Sequence, residues 1–193
     1  SFENDSKLRI IGDYSFVTTK IKSITIPKHV TTIGVYAFGE CYNLQHFVIQ
    51  SDSELKTIEN GAFSGSSIEK LIIPQNVDSL KDGSLRNIPK LKIIEVSPLN
   101  KHYAFIDNSL LVYKEEESND TYDTLIYSVS SIEKVIIPSY IKEIKSYSFE
   151  SCKNLKCVEF ADDSQLIFIN DHAFYESSIE KISIPCHVQK IGA

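Results

Sequence analysis

Apolar residues recur along this chain in a short pattern, h-x-x-h-x-h, where h is an apolar residue and x is any residue. The last two apolar positions are two residues apart, which is the alternation of a β-strand and puts both side chains on one face. The seven segments that show it carry their apolar residues at Ile21/Ile24/Ile26, Leu44/Phe47/Ile49, Ile68/Leu71/Ile73, Leu91/Ile94/Val96, Ile132/Val135/Ile137, Leu155/Val158/Phe160 and Ile179/Ile182/Ile184. The pattern therefore predicts seven short strands, each with one face in a core.

Three of these segments are nearly identical in sequence. The run Ser-Ser-Ile-Glu-Lys begins at Ser66, Ser130 and Ser177, and each copy continues through two more residues to an Ile-Pro pair. A looser fourth copy begins at Ile21. The proline that follows has no N–H for a strand ladder, so it predicts where the strand ends. These prolines are Pro27, Pro74, Pro138 and Pro185.

A second pattern fills the segments between the strands and ends in a small residue followed by phenylalanine. The phenylalanines are Phe16, Phe38, Phe63, Phe149 and Phe174, with Leu85 in the equivalent place of one copy. The preceding small residues are Ser15, Ala37, Ala62, Ser84, Ser148 and Ala173. We expect this step to lie in a turn or a short helical segment, where the small residue lets neighbouring coils approach and the phenylalanines stack as an aromatic column.

The spacing of the strands decides the fold class. Their first residues are 23 or 24 residues apart, except for one interval of 41 residues between Leu91 and Ile132. A unit of this length with one short strand cannot bury its apolar face alone, but it can when stacked on its neighbours. The chain is therefore predicted to be a right-handed repeat solenoid of the α/β type with short parallel strands and loops.

The long interval indicates an insertion of 17 residues within 97–127. Asp107 and Asn108 tolerate positive φ, so they predict a hairpin turn between 103–106 and 110–113. A third short strand is expected at 124–127. We expect one domain over 1–193, with repeats at 1–96 and 128–193. The inserted window is strongly acidic, which is typical of a hydrated loop, and a calcium or partner site is the alternative.

The repeat unit resembles the BspA-like leucine-rich repeats found in surface proteins of bacteria and of protozoa such as trichomonads and amoebae. The resemblance rests on Ile-Pro-x-x-Val-x-x-Ile-Gly-x-x-Ala-Phe-x-x-Cys-x-x-Leu, which runs from Ile26 to Leu44. The match covers nearly the whole chain and departs from the pattern at Leu85 and at 87–89. The resemblance implies a non-enzymatic protein-binding module, a cell-surface adhesin that contacts host or extracellular-matrix proteins. Fold alone does not establish that function.

The outward residues of the strands are the candidate partner-binding face. If the h positions point inward, the residues between them face solvent, and several of these are aliphatic. The candidate face consists of His46, Val48, Lys70, Ile72, Ile93, Glu95, Lys134, Ile136, Glu159 and Lys181. Two interpretations remain open, because β-branched residues also suit exposed strand positions without any binding role, whereas a contiguous apolar patch typically marks an interface.

Composition, charge and the absence of known motifs argue against several classes of function. The chain has 193 residues, 42% of them hydrophobic, and a net charge of -6, which argues against nucleic-acid binding. No apolar run approaches the roughly 20 residues that span a bilayer. The four cysteines and five histidines match no zinc spacing, and we find no phosphate loop or nucleophile motif. We therefore expect no catalytic, cofactor or metal site. Cys41 and Cys152 share one repeat column and are expected to be buried thiols.

The location of the protein is left open by the sequence. Two glycosylation sequons, at Asn4 and Asn119, favour a secreted or cell-surface protein, though such tripeptides also arise by chance. Unpaired cysteines permit the alternative, a cytoplasmic leucine-rich-repeat scaffold. The chain begins at Ser1 without a methionine and stops within a repeat at Ala193, so we expect it to be part of a longer protein.

Overall fold

The structure is a computed structural model that describes residues 2–3, 6–114 and 121–193. The sequons at Asn4 and Asn119 and the acidic stretch 115–120 lie outside the described residues. The chain divides into two compact units, Ser1–Lys101 and His102–Ala193, and we describe each by itself as unit 1 and unit 2. The expected single domain with an insertion at about 97–127 stays a prediction.

Unit 1 is built from coils that each contribute a strand of two residues and a strand of four. The two-residue strands form one parallel sheet in the order β1-β3-β5-β7. The four-residue strands pair in parallel as β2-β4 and β6-β8, and β4 lies next to β6. The strands of unit 1 are β1 (Ile10–Ile11), β2 (Ser23–Ile26), β3 (Thr32–Ile33), β4 (His46–Ile49), β5 (Thr57–Ile58), β6 (Lys70–Ile73), β7 (Ser79–Leu80) and β8 (Ile93–Val96).

Unit 2 repeats this arrangement and adds a hairpin. One sheet is parallel, in the order β12-β14-β16, and the other has the order β17-β15-β13-β11-β10-β9. The strands of unit 2 are β9 (Tyr103–Ile106), β10 (Leu110–Tyr113), β11 (Thr124–Ser128), β12 (Lys134–Ile137), β13 (Glu143–Ile144), β14 (Cys157–Phe160), β15 (Phe168–Ile169), β16 (Lys181–Ile182) and β17 (Lys190–Ile191). Stacked parallel strands in both units confirm the predicted solenoid architecture.

The predicted hairpin is confirmed as β9 and β10, which pair antiparallel. Asp107 and Asn108 both have positive φ, 50° and 51°, and they are the central residues of a turn in which the N–H of Ser109 donates to the carbonyl of Ile106 at 3.0 Å. Ile106 pairs with Leu110, so the hairpin loop has three residues. β11 then pairs antiparallel with β10 along one edge and parallel with β13 along the other. The register shifts between Leu111 and Val112, and this irregularity lets one strand serve both the hairpin and the regular ladder.

The predicted phenylalanine column is also confirmed within each unit. In unit 1, Phe16 stacks on Phe38 with ring centroids 5.1 Å apart, and Phe38 stacks on Phe63 at 6.1 Å. In unit 2, Phe149 stacks on Phe174 at 5.1 Å. Phe38, Phe63 and Phe149 are fully buried, and Leu85 is buried in place of the missing ring. Burial of each ring removes a large apolar area from water, so this column is a main source of stability.

The step that carries the phenylalanine is a turn, and the described residues contain no helix. Each turn holds two residues with positive φ, four positions apart, on either side of the phenylalanine. The first of these positions is occupied by Tyr14, Tyr36, Gly61, Gly83, Tyr147 and His172, and the second by Thr18, Glu40, Gly65, Asn87, Ser151 and Glu176. In this conformation the N–H of Phe38 donates to the carbonyl of Ala62 in the next coil at 2.8 Å. Hydrogen bonds between coils, rather than within a helix, therefore satisfy the turn backbone.

The sequence pattern predicted the seven long strands but missed the short ones. The predicted strands correspond to β2, β4, β6, β8, β12, β14 and β16, although β16 has only two residues. The short strands lie in the segments that the sequence assigned to turns and loops. They are only two residues long, so the period of two that reveals a strand cannot develop in them.

Candidate protein-binding face

The four-residue strands place alternate residues in the core and on an outward face. In β4, Phe47 and Ile49 are buried while His46 and Val48 are exposed. The same alternation places Leu71 and Ile73 of β6 inside the core. The predicted inward and outward assignment is therefore correct at these strands, because the pleat sends successive side chains to opposite faces.

In unit 1 the outward face combines aliphatic side chains with one ion pair. Lys70 lies opposite Ile93 in the register of β6 and β8, and Ile72 lies opposite Glu95. The Lys70 ammonium contacts the Glu95 carboxylate at 2.7 Å. Ile93 is 50% exposed and Val48 is 43% exposed, whereas Ile72 is half-buried. The face therefore offers apolar surface beside a neutralised charge pair.

In unit 2 the same arrangement recurs on β12 and β14. Lys134 lies opposite Cys157, and Ile136 lies opposite Glu159. The Lys134 ammonium contacts the Glu159 carboxylate at 2.7 Å, and Ile136 is 55% exposed. On the next strand, Lys181 lies opposite Cys157. Unit 2 thus presents a more basic face than unit 1.

The ion pair in unit 2 shifts the pKa of both partners. A hydrogen bond from Lys134 holds the pKa of Glu159 below its usual value, and the same hydrogen bond raises the pKa of Lys134. Both groups are solvent-exposed, so the pair contributes little to stability.

The predicted apolar patch falls into two parts. Val48, Ile72 and Ile93 belong to unit 1 with Lys70, whereas Ile136 belongs to unit 2 with Lys134 and Lys181. The sequence predicted that every one of these residues lies on the outward face. It did not predict the ion pairs that join the lysines to the glutamates. The pairs link positions 25 residues apart, which is one coil plus two residues, so the signal becomes visible only when the repeats are aligned strand by strand.

Within the described residues, the cysteines and histidines discussed next have the surroundings of structural side chains. All four cysteines are free, with Cys41 and Cys152 buried as predicted. Burial raises the pKa of the Cys152 thiol to about 12, which keeps it protonated and unreactive. His172 stacks on Tyr147 with ring centroids 5.3 Å apart. Within the described ranges, no three His, Cys, Asp or Glu residues are grouped so that they could hold a metal ion.

One further histidine belongs to a charged cluster of unit 1. The Glu54 carboxylate accepts from Arg9 at 2.7 Å and contacts Nδ1 of His29 at 2.8 Å. Beside it, Lys28 and Asp52 form an ion pair at 2.8 Å. The cluster lies at the loops between strands and links three successive coils. The contacts of its carboxylates with Arg9, Lys28 and His29 therefore join successive coils.

A search for known sequence families finds a match along most of the chain. The BspA type leucine-rich repeat region matches residues 9–121 and 121–193 as six copies. A search among proteins of curated function finds no match. No described stretch forms a helix of the length and apolarity that crossing a bilayer requires.

Solved structures with the same architecture come from bacteria. A leucine-rich repeat protein from Eubacterium ventriosum is 26% identical with a TM-score of 0.78, over 97% of this chain and 54% of that chain. The pneumococcal vaccine antigen PcpA is 28% identical with a TM-score of 0.80, over 99% of this chain and 52% of that chain. A leucine-rich cell surface protein from Faecalibacterium prausnitzii, 23% identical with a TM-score of 0.63 over 87% of this chain and 55% of that chain, shares the fold. The chain therefore spans about half the length of these proteins.

Proposed function

Since the chain belongs to the BspA-type leucine-rich repeat family, we propose that it is a non-enzymatic protein-binding module of a cell-surface adhesin. Its partners in this proposal are host or extracellular-matrix proteins. Leucine-rich repeats mediate protein contacts through the extended surface that stacked coils create. The pneumococcal relative is described as a vaccine antigen, and this supports a surface location.

The observation that carries the proposal is the exposure of aliphatic residues on the outward strand face. Val48, Ile93 and Ile136 are each about half exposed, although Phe47, Ile94 and Val135, the inward residues next to them, are buried. Exposed apolar residues beside charges are the composition of a protein interface, with an apolar centre and a polar rim. An enzyme is disfavoured because Glu95 and Glu159 on this face are each paired with a lysine, so neither is a free general base.

A second candidate is an intracellular scaffold that uses the same face for cytosolic partners. Four unpaired cysteines favour it, since reduced thiols are typical of the cytosol. The two candidates differ in location and not in the mode of binding.

Antibody labelling of intact source cells distinguishes the two locations. Labelling before permeabilisation is expected for the adhesin. Labelling that requires permeabilisation contradicts the adhesin and favours the scaffold. Antibody against a known cytosolic protein is the control for cell integrity.

Binding itself is tested on a panel of purified extracellular-matrix proteins. We expect the chain to bind at least one of them, and Ile93→Glu and Ile136→Glu to reduce binding at least tenfold. Lys81→Glu, an exposed substitution outside the four-residue strands, is the control for added negative charge and is expected to leave binding unchanged. Equal binding by all variants would exclude the outward face.

A further inference from the structure

The outward face of unit 1 contains four side chains with a simple symmetry. In the register of β6 and β8, Lys70 and Glu95 occupy one diagonal of a small array, and Ile72 and Ile93 occupy the other. Lys70 and Glu95 form an ion pair across their diagonal at 2.7 Å. The array measures about 4.8 Å across the strands and about 6.8 Å along them. We refer to these four residues as the crossed array.

The crossed array is complementary to itself. A twofold axis that lies in the face and follows the diagonal from Ile72 to Ile93 exchanges the positions of Lys70 and Glu95. The array sides differ by about 2 Å, and the flexible four-carbon stem of lysine covers that difference. Under this axis, Glu95 of a second copy lies over Lys70, and each isoleucine meets its own counterpart.

We propose that the crossed array is a self-association surface whose occupant is a second copy of this chain. The contact is isologous, as in most homodimers. With these dimensions the strands of the two copies cross at about 70°, which is closer to the orthogonal than to the aligned way in which β-sheets pack.

Two effects stabilise this contact: the attraction between opposite charges and the burial of apolar side chains. Lys70 and Glu95 are already paired within one molecule, so the second copy completes a ring of four charges with alternating sign. Two isoleucines from each copy lose contact with water on either side of this ring of charges. The face is small compared with standard protein interfaces, so the association is weak and depends on concentration.

Unit 2 has an array of the same form, with Cys157 in the place of Ile93. The thiol of Cys157 is half-buried and contacts the carboxylate of Glu159 at 3.7 Å. In this diagonal a thiol takes the place of one aliphatic side chain, and Lys181 on the next strand lies opposite that thiol. The additional lysine leaves the charges around this array unbalanced, unlike those of the array in unit 1. We assign the contact to the array of unit 1, and Lys134 of unit 2 provides the matched control.

Sedimentation velocity over a wide range of protein concentration tests the proposal. We expect the weight-average sedimentation coefficient of the unmodified chain to rise with concentration. Lys70→Glu and Glu95→Lys each place like charges face to face, so each variant alone is expected to lose that rise. An equimolar mixture of the two variants restores opposite charges at both contacts and is expected to regain it. Lys134→Glu is expected to behave like the unmodified chain.

Four results would overturn the proposal. They are a sedimentation coefficient that is independent of concentration, single variants that still associate, a mixture that stays monomeric, and loss of association in Lys134→Glu. Circular dichroism of each variant establishes that it is folded. The inference goes beyond the proposed function, because self-association needs no host partner. Its failure leaves matrix binding untouched, and failure of matrix binding leaves self-association to be judged by sedimentation alone.

Discussion

The ring of Phe38 lies 6.1 Å from the ring of Phe63 with only 12° between their planes. These residues are 25 positions apart and come from successive coils. Phe47 from the intervening four-residue strand meets both rings edge-on, at 5.2 Å and 4.7 Å. The core of unit 1 therefore contains an aromatic column in which a phenylalanine of a strand packs against the phenylalanines of two turns. The packing of the turns and the packing of the strand therefore depend on each other.

Truncation of this column is expected to destabilise unit 1 strongly. Phe63→Ala removes a fully buried ring and leaves a cavity between two coils, so we expect a loss of about 3–5 kcal/mol in the free energy of unfolding. Val48→Ala, at an exposed position, is the control and is expected to change stability by about 0.5 kcal/mol or less. Urea unfolding monitored by circular dichroism measures both. Equal midpoints for Phe63→Ala and the unmodified chain would contradict a structural role for the column.

Substitution of Gly61 tests whether the turns require a residue that tolerates positive φ. Its φ is 61° and a Cβ atom there would come within 2.8 Å of the Tyr36 ring. Gly61→Ala is therefore expected to cost about 1–2 kcal/mol from the backbone conformation alone, with the contact added to it.

Gly12→Ala is the matched control for that substitution. A Cβ at Gly12 meets nothing within 4 Å, and Gly12 lies outside the positive-φ positions. We expect Gly12→Ala to be neutral or slightly stabilising, because alanine restricts the unfolded chain. Thermal unfolding of both variants makes the comparison, and a larger loss in Gly12→Ala would contradict it.

Acid is expected to weaken the cluster around Glu54. Hydrogen bonding by His29 lowers the pKa of Glu54 below its usual 4.5, and Lys28 lowers the pKa of Asp52. A carboxylate whose folded pKa is lowered stabilises the fold above its unfolded pKa, and this stabilisation is lost as the pH falls through the folded pKa. We therefore expect Glu54→Gln to unfold at a lower temperature than the unmodified chain near neutral pH. The difference is expected to shrink as the pH falls below 4.5 and to vanish only below the lowered pKa of Glu54 in the folded chain.

Salt offers an independent check of the same cluster. The groups are solvent-exposed, so added salt should reduce the difference between Glu54→Gln and the unmodified chain. A difference that persists unchanged in strong acid and in high salt would show that Glu54 acts through packing.

The thiols are expected to differ in reactivity according to burial. Cys186 is exposed, whereas Cys41 and Cys152 are buried, and burial raises the pKa of Cys152 to about 12. Iodoacetamide at mildly alkaline pH should therefore modify Cys186 first and leave Cys41 and Cys152 unmodified until the chain is unfolded by denaturant. Peptide mass spectrometry over time measures this order. Early labelling of Cys152 in the folded chain would contradict its burial.

Much of the architecture could be predicted from local patterns. The h-x-x-h-x-h segments placed the long strands, and the recurring phenylalanine placed the stacked column. The Asp107-Asn108 pair predicted the hairpin turn. The short strands and the alternating positive-φ residues could not be found in the same way. Tyr36 and Glu40 are not typical of that backbone conformation, and they adopt it because hydrogen bonds to the next coil require it.

The sequence by itself determined the repeat, the stacking of coils and which strand residues face inward, with the exception of Ile184, which was expected to face inward and is 37% exposed in the last coil. These properties follow from periodicity, because every coil must bury the same apolar positions against its neighbours. Only the tertiary structure decided which outward residues meet. Lys70 reaches Glu95 and Lys134 reaches Glu159 because neighbouring strands are in register and side chains can cross from one coil to the next. Such contacts depend on the distance between strands in space, which no pattern along a single strand contains.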